Sequence, residues 1–157
     1  MSKIAAKPSA NELYEADFYA WTQEQARLLR ERRWDNLDLD NLVDEVESVG
    51  RSDKRQIESR LEILLAHLLK WKFQPGGRRA SWIGTIFEQR RRLIGLLEES
   101  PSLREFQQKE VANSYPAARL LAAKKTGISL AVFPEQCPFT PQQVLDLEYY
   151  PQDRETE

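Results

Sequence analysis

Apolar side chains recur along most of this chain in steps of three and four, the spacing that gathers them on one face of an α-helix. Tyr14, Phe18, Trp21, Gln25 and Leu28, with Leu29 beside them, mark the first such face. Asp17 is placed to cap its start, near which the first helix is expected to begin, and basic residues suit its end around Arg33. A second segment opens in Trp34-Asp35-Asn36-Leu37-Asp38-Leu39-Asp40, where Asp38 or Asp40 fits the N-cap and an acidic first turn fits the helix dipole. Leu39, Leu42, Val43 and Val46 make its apolar stripe. Past Gly50 and a polar run at 51–56, Ile57, Leu61, Leu64, Leu65, Leu68 and Leu69 form the strongest stripe in the chain. The pattern predicts one long helix over 39–73, or two nearly collinear ones.

Gln74-Pro75-Gly76-Gly77 is the clearest break in this pattern. A third helix is predicted from an N-cap at Ser81, with Trp82, Ile83, Ile86, Phe87, Leu93, Ile94 and Leu97 on its buried face. Ser100-Pro101 ends it and starts a fourth, since serine at the N-cap with proline at the first helical position is a favoured helix start. That helix runs toward Lys125 on Leu103, Phe106, Val111, Leu120 and Leu121; Pro116 is expected to kink or divide it, and Lys124, Lys125 and Gly127 to stop it. Residues 128–139, with Pro134 and Pro138, read as irregular. Thr140-Pro141-Gln142-Gln143 is a capping box that predicts a short last helix to about Tyr149. Helices joined by short loops bury such stripes most simply as an antiparallel bundle. The predicted fold is therefore all-α: a single-domain antiparallel helical bundle over 13–150, with about four main helices and a short C-terminal helix. A flexible leader at 1–12 and a frayed tail at 151–157 flank it.

Composition changes this picture little. Among 157 residues, 41% are hydrophobic and 31% charged, ordinary for a globular protein, and six glycines are too few for a fold built on many tight turns. The net charge of -2 selects neither nucleic acid nor an anionic membrane. A single cysteine, Cys137, rules out an intrachain disulfide, fits a reducing compartment and reads as a small buried apolar group. The N-terminus lacks the apolar core of a signal peptide, and the longest uncharged apolar stretch, 63–69, is far too short to span a bilayer. A cytoplasmic location without membrane association is expected.

With these segments in order, a resemblance emerges. The run Leu13-Tyr14-Glu15-Ala16-Asp17-Phe18-Tyr19-Ala20-Trp21-Thr22 resembles the opening of domain-of-unknown-function family 29. So do Leu37-Asp38-Leu39-Asp40-Asn41-Leu42, followed by the acidic residues Glu45 and Glu47, and Leu65-Ala66-His67-Leu68-Leu69-Lys70. Ser81-Trp82, Gln89-Arg90 and Ser100-Pro101-Ser102-Leu103 follow in the same order. The likeness covers roughly 13–145. It implies an all-helical bacterial protein, and it carries no activity, cofactor or catalytic residue.

The chain also lacks the familiar catalytic signatures: a phosphate-binding loop, a dinucleotide-binding glycine pattern and a nucleophile elbow are all missing. No cofactor is expected. The lone histidine, His67, flanks the leucine stripe without the Glu-x-x-His pairing of bundle metal sites, because Leu64 holds that position. A structural role is its default reading; as a metal ligand it would need Glu45 or Glu47 brought to it by a bend near Gly50. Charge is strongly segregated. Residues 35–47 hold six acidic side chains and no basic one, whereas 51–92 hold eleven basic and four acidic. Lys70, Lys72, Arg78, Arg79 and Arg90, with Trp82 nearby, form a candidate surface for nucleic acid, in which arginines hold phosphates and an aromatic stacks on a base. The Arg90-Arg91-Arg92 triplet spreads over about 200° of a helix and forms no flat patch. Trp34, beside Arg32 and Arg33 near a helix end, has the composition of a protein interface. The first functional reading is accordingly a non-enzymatic interaction module or adaptor, with a protein partner or a second copy. A nucleic-acid-binding protein using 70–92 is the alternative, and a metal-dependent enzyme centred on His67 the second alternative.

Overall fold

The structure is a computed structural model that describes residues 6–152. Its helices are α1 (Ala10–Ala16), α2 (Phe18–Arg30), α3 (Leu39–Phe73), α4 (Ala80–Glu99), α5 (Arg104–Thr126) and α6 (Pro141–Leu145). Short 3-10 turns sit at Trp34–Asn36, Pro75–Gly77, Pro101–Leu103 and Leu130–Val132, and no strand occurs among the described residues. The all-helical expectation holds. The chain divides into two compact units, Met1–Arg51 and Ser52–Glu157, with the division falling inside α3; each is described by itself.

In the first unit, a helix precedes the one expected. Ser9 and Glu12 form a capping box, the Ser9 side chain accepting from the Glu12 N–H at 3.2 Å and Glu12 accepting from the Ser9 N–H at 2.9 Å. α1 therefore starts inside the stretch read from sequence as a leader; residues 1–5 of that leader lie outside the described residues. Asp17 does cap, since its carboxylate accepts from the Ala20 N–H and opens α2. α2 stops at Arg30 rather than Arg33, and Arg32 takes a left-handed backbone conformation (φ 55°) in the turn that follows. Trp21, Gln25 and Leu28 are the buried side chains of this unit's described residues.

The second unit is built around 52–73 of α3. Ile57 and Leu61 are fully buried, and every residue from Leu64 to Lys70 is buried, so this end of the helix is enclosed on all sides. α4 and α5 pack against it in an antiparallel arrangement. Ile86, Leu93 and Leu97 come from α4; Val111, Tyr115, Ala118 and Ala122 come from α5. The α5 set keeps steps of four, three and four across Pro116. Contacts on both sides hold one helical path, and α5 is not divided there, although the proline supplies no N–H. α4 begins at Ala80, with Arg79 in the N-cap position and no side-chain cap, so Ser81 lies within the first turn and is not the cap. Ile83 and Phe87, assigned to the buried face from spacing, are exposed.

The irregular segment after α5 is fastened by side chains of that helix. Arg119 donates to the carbonyls of Leu130 and Phe133, and the Tyr115 hydroxyl donates to that of Pro134. The Thr140 capping box forms as predicted, but α6 ends at Leu145. The tail beyond Gln152 lies outside the described residues.

Two glycines give opposite expectations. Gly50 lies within continuous helix with open space where a Cβ would go, so Gly50→Ala is expected to raise stability by about 0.5–1 kcal/mol. Gly127 ends α5 at φ 72°, so Gly127→Ala is expected to lower stability by about 1 kcal/mol. Urea melts of the two variants beside the parent check both signs.

Candidate functional site

Several basic side chains of 70–92 point inward. Lys70 is 7% exposed, and its Nζ lies 4.3 Å from the centroid of the Trp82 ring; the Arg79 guanidinium lies 5.3 Å from the same ring. Trp82 is itself buried and so offers no free face for a base. Burial, then the charges of Lys125 and Arg79, push the Lys70 pKa down. The electron-rich ring face offsets part of that cost. Arg78 lies 4.8 Å from the Trp71 ring and donates to the Trp71 carbonyl, and Trp71 packs on Tyr150 at 4.8 Å. Gly77 is needed at this junction, because a Cβ there would come within 2.8 Å of Trp82. The cation–aromatic contacts thus tie the end of α3 and the turn after it to α4 and the C-terminal segment.

Arg90, a candidate phosphate contact from sequence, is in the interior, with 0% exposure. Its Nε donates to the Val144 carbonyl at 2.8 Å and Nη2 to the Gln143 carbonyl at 3.2 Å, while Nη1 has no partner among the described residues. Its charge clamps α6 to α4 and cannot reach a polyanion. Arg91 and Arg92 both bond Glu88 on the surface. Lys72 is half-buried and Arg79 exposed.

His67 also faces inward. Its Nδ1 stands 2.8 Å from the Ile63 carbonyl, and since a carbonyl only accepts, Nδ1 carries the proton. Burial lowers its pKa, and the charges it feels, Lys70 and Lys125, are positive. α3 runs through Gly50 as continuous helix. Glu45 instead accepts from the Tyr14 hydroxyl at 2.6 Å, pushing the phenol pKa up to about 12, and Glu47 sits on the surface 3.6 Å from Arg51. No three His, Cys, Asp or Glu side chains among the described residues gather to hold a metal. Cys137 lies in a groove of about 350 Å3 with Val111, Tyr115 and Phe139. Burial raises its pKa, and the groove lining holds no His, Lys or Arg to stabilise a thiolate.

The first unit has a different surface. Its α1–α2 hairpin meets α3 through polar groups. The Trp21 indole N–H donates to Asp38 at 2.9 Å, the Asp38 backbone N–H donates to the Gln25 side chain at 2.8 Å, and Asn41 donates to Asn11 and Asp38. With Tyr14 on Glu45, the face of α3 that the hairpin covers is Asp38, Asn41 and Glu45. The apolar stripe expected at the start of α3 lies beside that face, in solvent. Leu39 is 64% exposed, Val46 71% and Val49 67%; Val43 is also exposed and Leu42 half-buried. At about 100° per residue these positions and Gly50 fill an arc of about 120°. Beyond the arc's other edge stand Asp40, Asp44 and Glu47, all exposed. Trp34, 59% exposed, belongs to the same unit.

The family described as Domain of unknown function DUF29 matches residues 13–150. The chain belongs to that family. No curated protein and no solved structure matches it. Membership in DUF29 carries no activity, and the match takes in both the inward-facing cations and the exposed apolar arc. No helix among the described residues is long and apolar enough to cross a membrane. The spacing of Leu39, Leu42, Val43 and Val46 gave the arc away as a stripe; that it faces outward follows from the polar bonding of Asp38, Asn41 and Glu45, for which sequence offers no signal.

The direction of the His67 shift fixes a pH dependence. Its folded pKa lies below the ordinary value of 6.5, so the unfolded chain takes up the proton first as pH falls. The contribution of neutral His67 is present above pH 6.5 and declines below it, until the folded ring protonates too. Urea unfolding between about pH 7.5 and 5.5 is expected to show a steeper loss of stability in the parent than in His67→Gln; parallel slopes would place the ring in water.

Proposed function

We propose that this DUF29 protein is a non-enzymatic interaction module that binds a protein partner through its N-terminal unit. One observation carries the reading: the apolar arc of α3 is left exposed in a unit that buries only Trp21, Gln25 and Leu28 among its described residues. Among the described residues, eight of the fourteen exposed large hydrophobic side chains fall in this unit, which is about a third of the chain. A unit of about 50 residues is marginal on its own core, and covering apolar side chains with a partner is the common remedy. Exposed apolar surface of this kind, bordered by charge, is the usual mark of a protein contact.

The basic segment favours the same conclusion from the opposite side. Lys70, Trp82 and Arg90 are occupied with one another and with carbonyls inside the second unit, which leaves little of the surface a polyanion would need.

Tagged parent protein and a Val46→Asp variant, recovered from native lysate with and without nuclease, test the reading. Co-purifying proteins are expected to survive nuclease with the parent and to drop at least about tenfold with Val46→Asp, a change of about 1.4 kcal/mol or more. Material that vanishes with nuclease, and that Arg79→Ala rather than Val46→Asp removes, would make nucleic acid the ligand instead.

A further inference from the structure

We infer that the partner presents an amphipathic helix with lysine or arginine along one flank, which lies on the Leu39–Val43–Val46 arc with its basic row against Asp40, Asp44 and Glu47. This rests on the interaction reading above and adds the chemistry of the occupant.

Three features of the arc select a helix. Leu39, Leu42, Val46 and Val49 are spaced by three, four and three residues, the spacing of a two-helix seam. The stripe is one helix face wide and, at about 1.5 Å per residue, about 15 Å long, enough for two to three turns of a partner. One side is bounded by the α1–α2 hairpin, bonded to Asp38, Asn41 and Glu45, and the other by three exposed carboxylates, so the docked element lies along α3.

Charge then selects which helix. Residues 35–47 contain six carboxylates and no basic side chain. Asp40, Asp44 and Glu47 follow steps of four and three, so they form one row parallel to the apolar stripe. Among the described residues, the Glu47 pairing with Arg51 is the one ion pair seen in that row, at 3.6 Å between two exposed groups. A helix with basic residues on the facing flank converts the row into interhelical ion pairs of the kind that set partner choice in helix pairs. A second copy of this chain does the opposite. Set antiparallel, the row opposes its own equivalent; set parallel, it opposes the flank that holds Asp38 and Glu45. Either way carboxylates face carboxylates, and like charges across a helix pair are repulsive.

The probes are two synthetic three-heptad peptides with leucine on the apolar seam, one with lysine and one with glutamate on both flanks, labelled for fluorescence anisotropy against the full chain. The lysine peptide is expected to bind at least about tenfold more tightly than the glutamate peptide. That gap should narrow in high salt. Asp44→Lys/Glu47→Lys is expected to reverse the preference, and Val46→Asp to remove binding of both, with far-UV circular dichroism confirming that each variant keeps its helix content. Equal binding of the two peptides, both lost on Val46→Asp, would overturn the charge assignment and leave the interaction reading intact. Binding of neither peptide overturns the inference; a parent that sediments as a dimer, and as a monomer with Val46→Asp, would name a second copy as the occupant. Failure of the interaction reading is seen elsewhere, as cellular partners that Val46→Asp does not release.

Discussion

Asp38 is the residue on which the arrangement of the first unit turns. Its carboxylate accepts from the Trp21 indole and from Asn41, and its backbone N–H is held by the Gln25 side chain. Trp21 and Gln25 are two of the three buried residues among those described in the unit, so the polar bonds are made where water is largely excluded and a broken bond would leave a buried group unsatisfied. This fixes the rotation of α3 under the hairpin. Once Asp38, Asn41 and Glu45 face α1 and α2, the pitch of the helix puts Leu39, Val43 and Val46 at the hairpin's edge and beyond it. The exposed arc is thus a consequence of which face the hydrogen bonds claim.

The second unit resolves the same competition between polar and apolar demands differently. Its core excludes water around 64–70 and takes in even ionisable groups, each given a partner suited to a dry setting: Lys70 an aromatic face, Arg90 two carbonyls, His67 the carbonyl one turn back. Among the described residues, none of these groups is paired with a carboxylate. Arg90 keeps its charge inside by bonding the backbone of Gln143 and Val144, which lets a five-residue helix hold its place on α4. Lys70 and Arg90 are thus taken up in packing.

Sequence reading succeeds or fails here according to the range of the interaction involved. The stripe from Ile57 to Leu69, the left-handed stop at Gly127 and the capping box at Thr140 are local or periodic signals, and the fold follows them closely. The box at Ser9 and Glu12 is just as local, but it stands in a stretch whose small, polar composition reads as a leader. Arg90 is the opposite case: its burial depends on carbonyls 53 and 54 residues away, which no window of sequence contains. The start of α3 falls between these cases. Periodicity identifies which side chains share a face, but whether that face is covered depends on what the polar groups beside it bond, and those bonds span up to 31 residues.

In the proposed docking, the two properties of the arc act at different stages of recognition. Apolar contact is what holds a docked helix, since each apolar side chain taken out of water contributes roughly 25 cal/mol per Å2 buried. It is also indiscriminate, and any helix with a leucine seam satisfies it. The carboxylate row adds little holding energy, because exposed ion pairs contribute about 0–1 kcal/mol each. Its effect is on partner choice: it speeds approach of a basic flank and opposes an acidic one, including this chain's own. On that proposal, a single-sign row beside an apolar stripe discourages self-pairing while leaving the stripe open to a helix of the opposite sign.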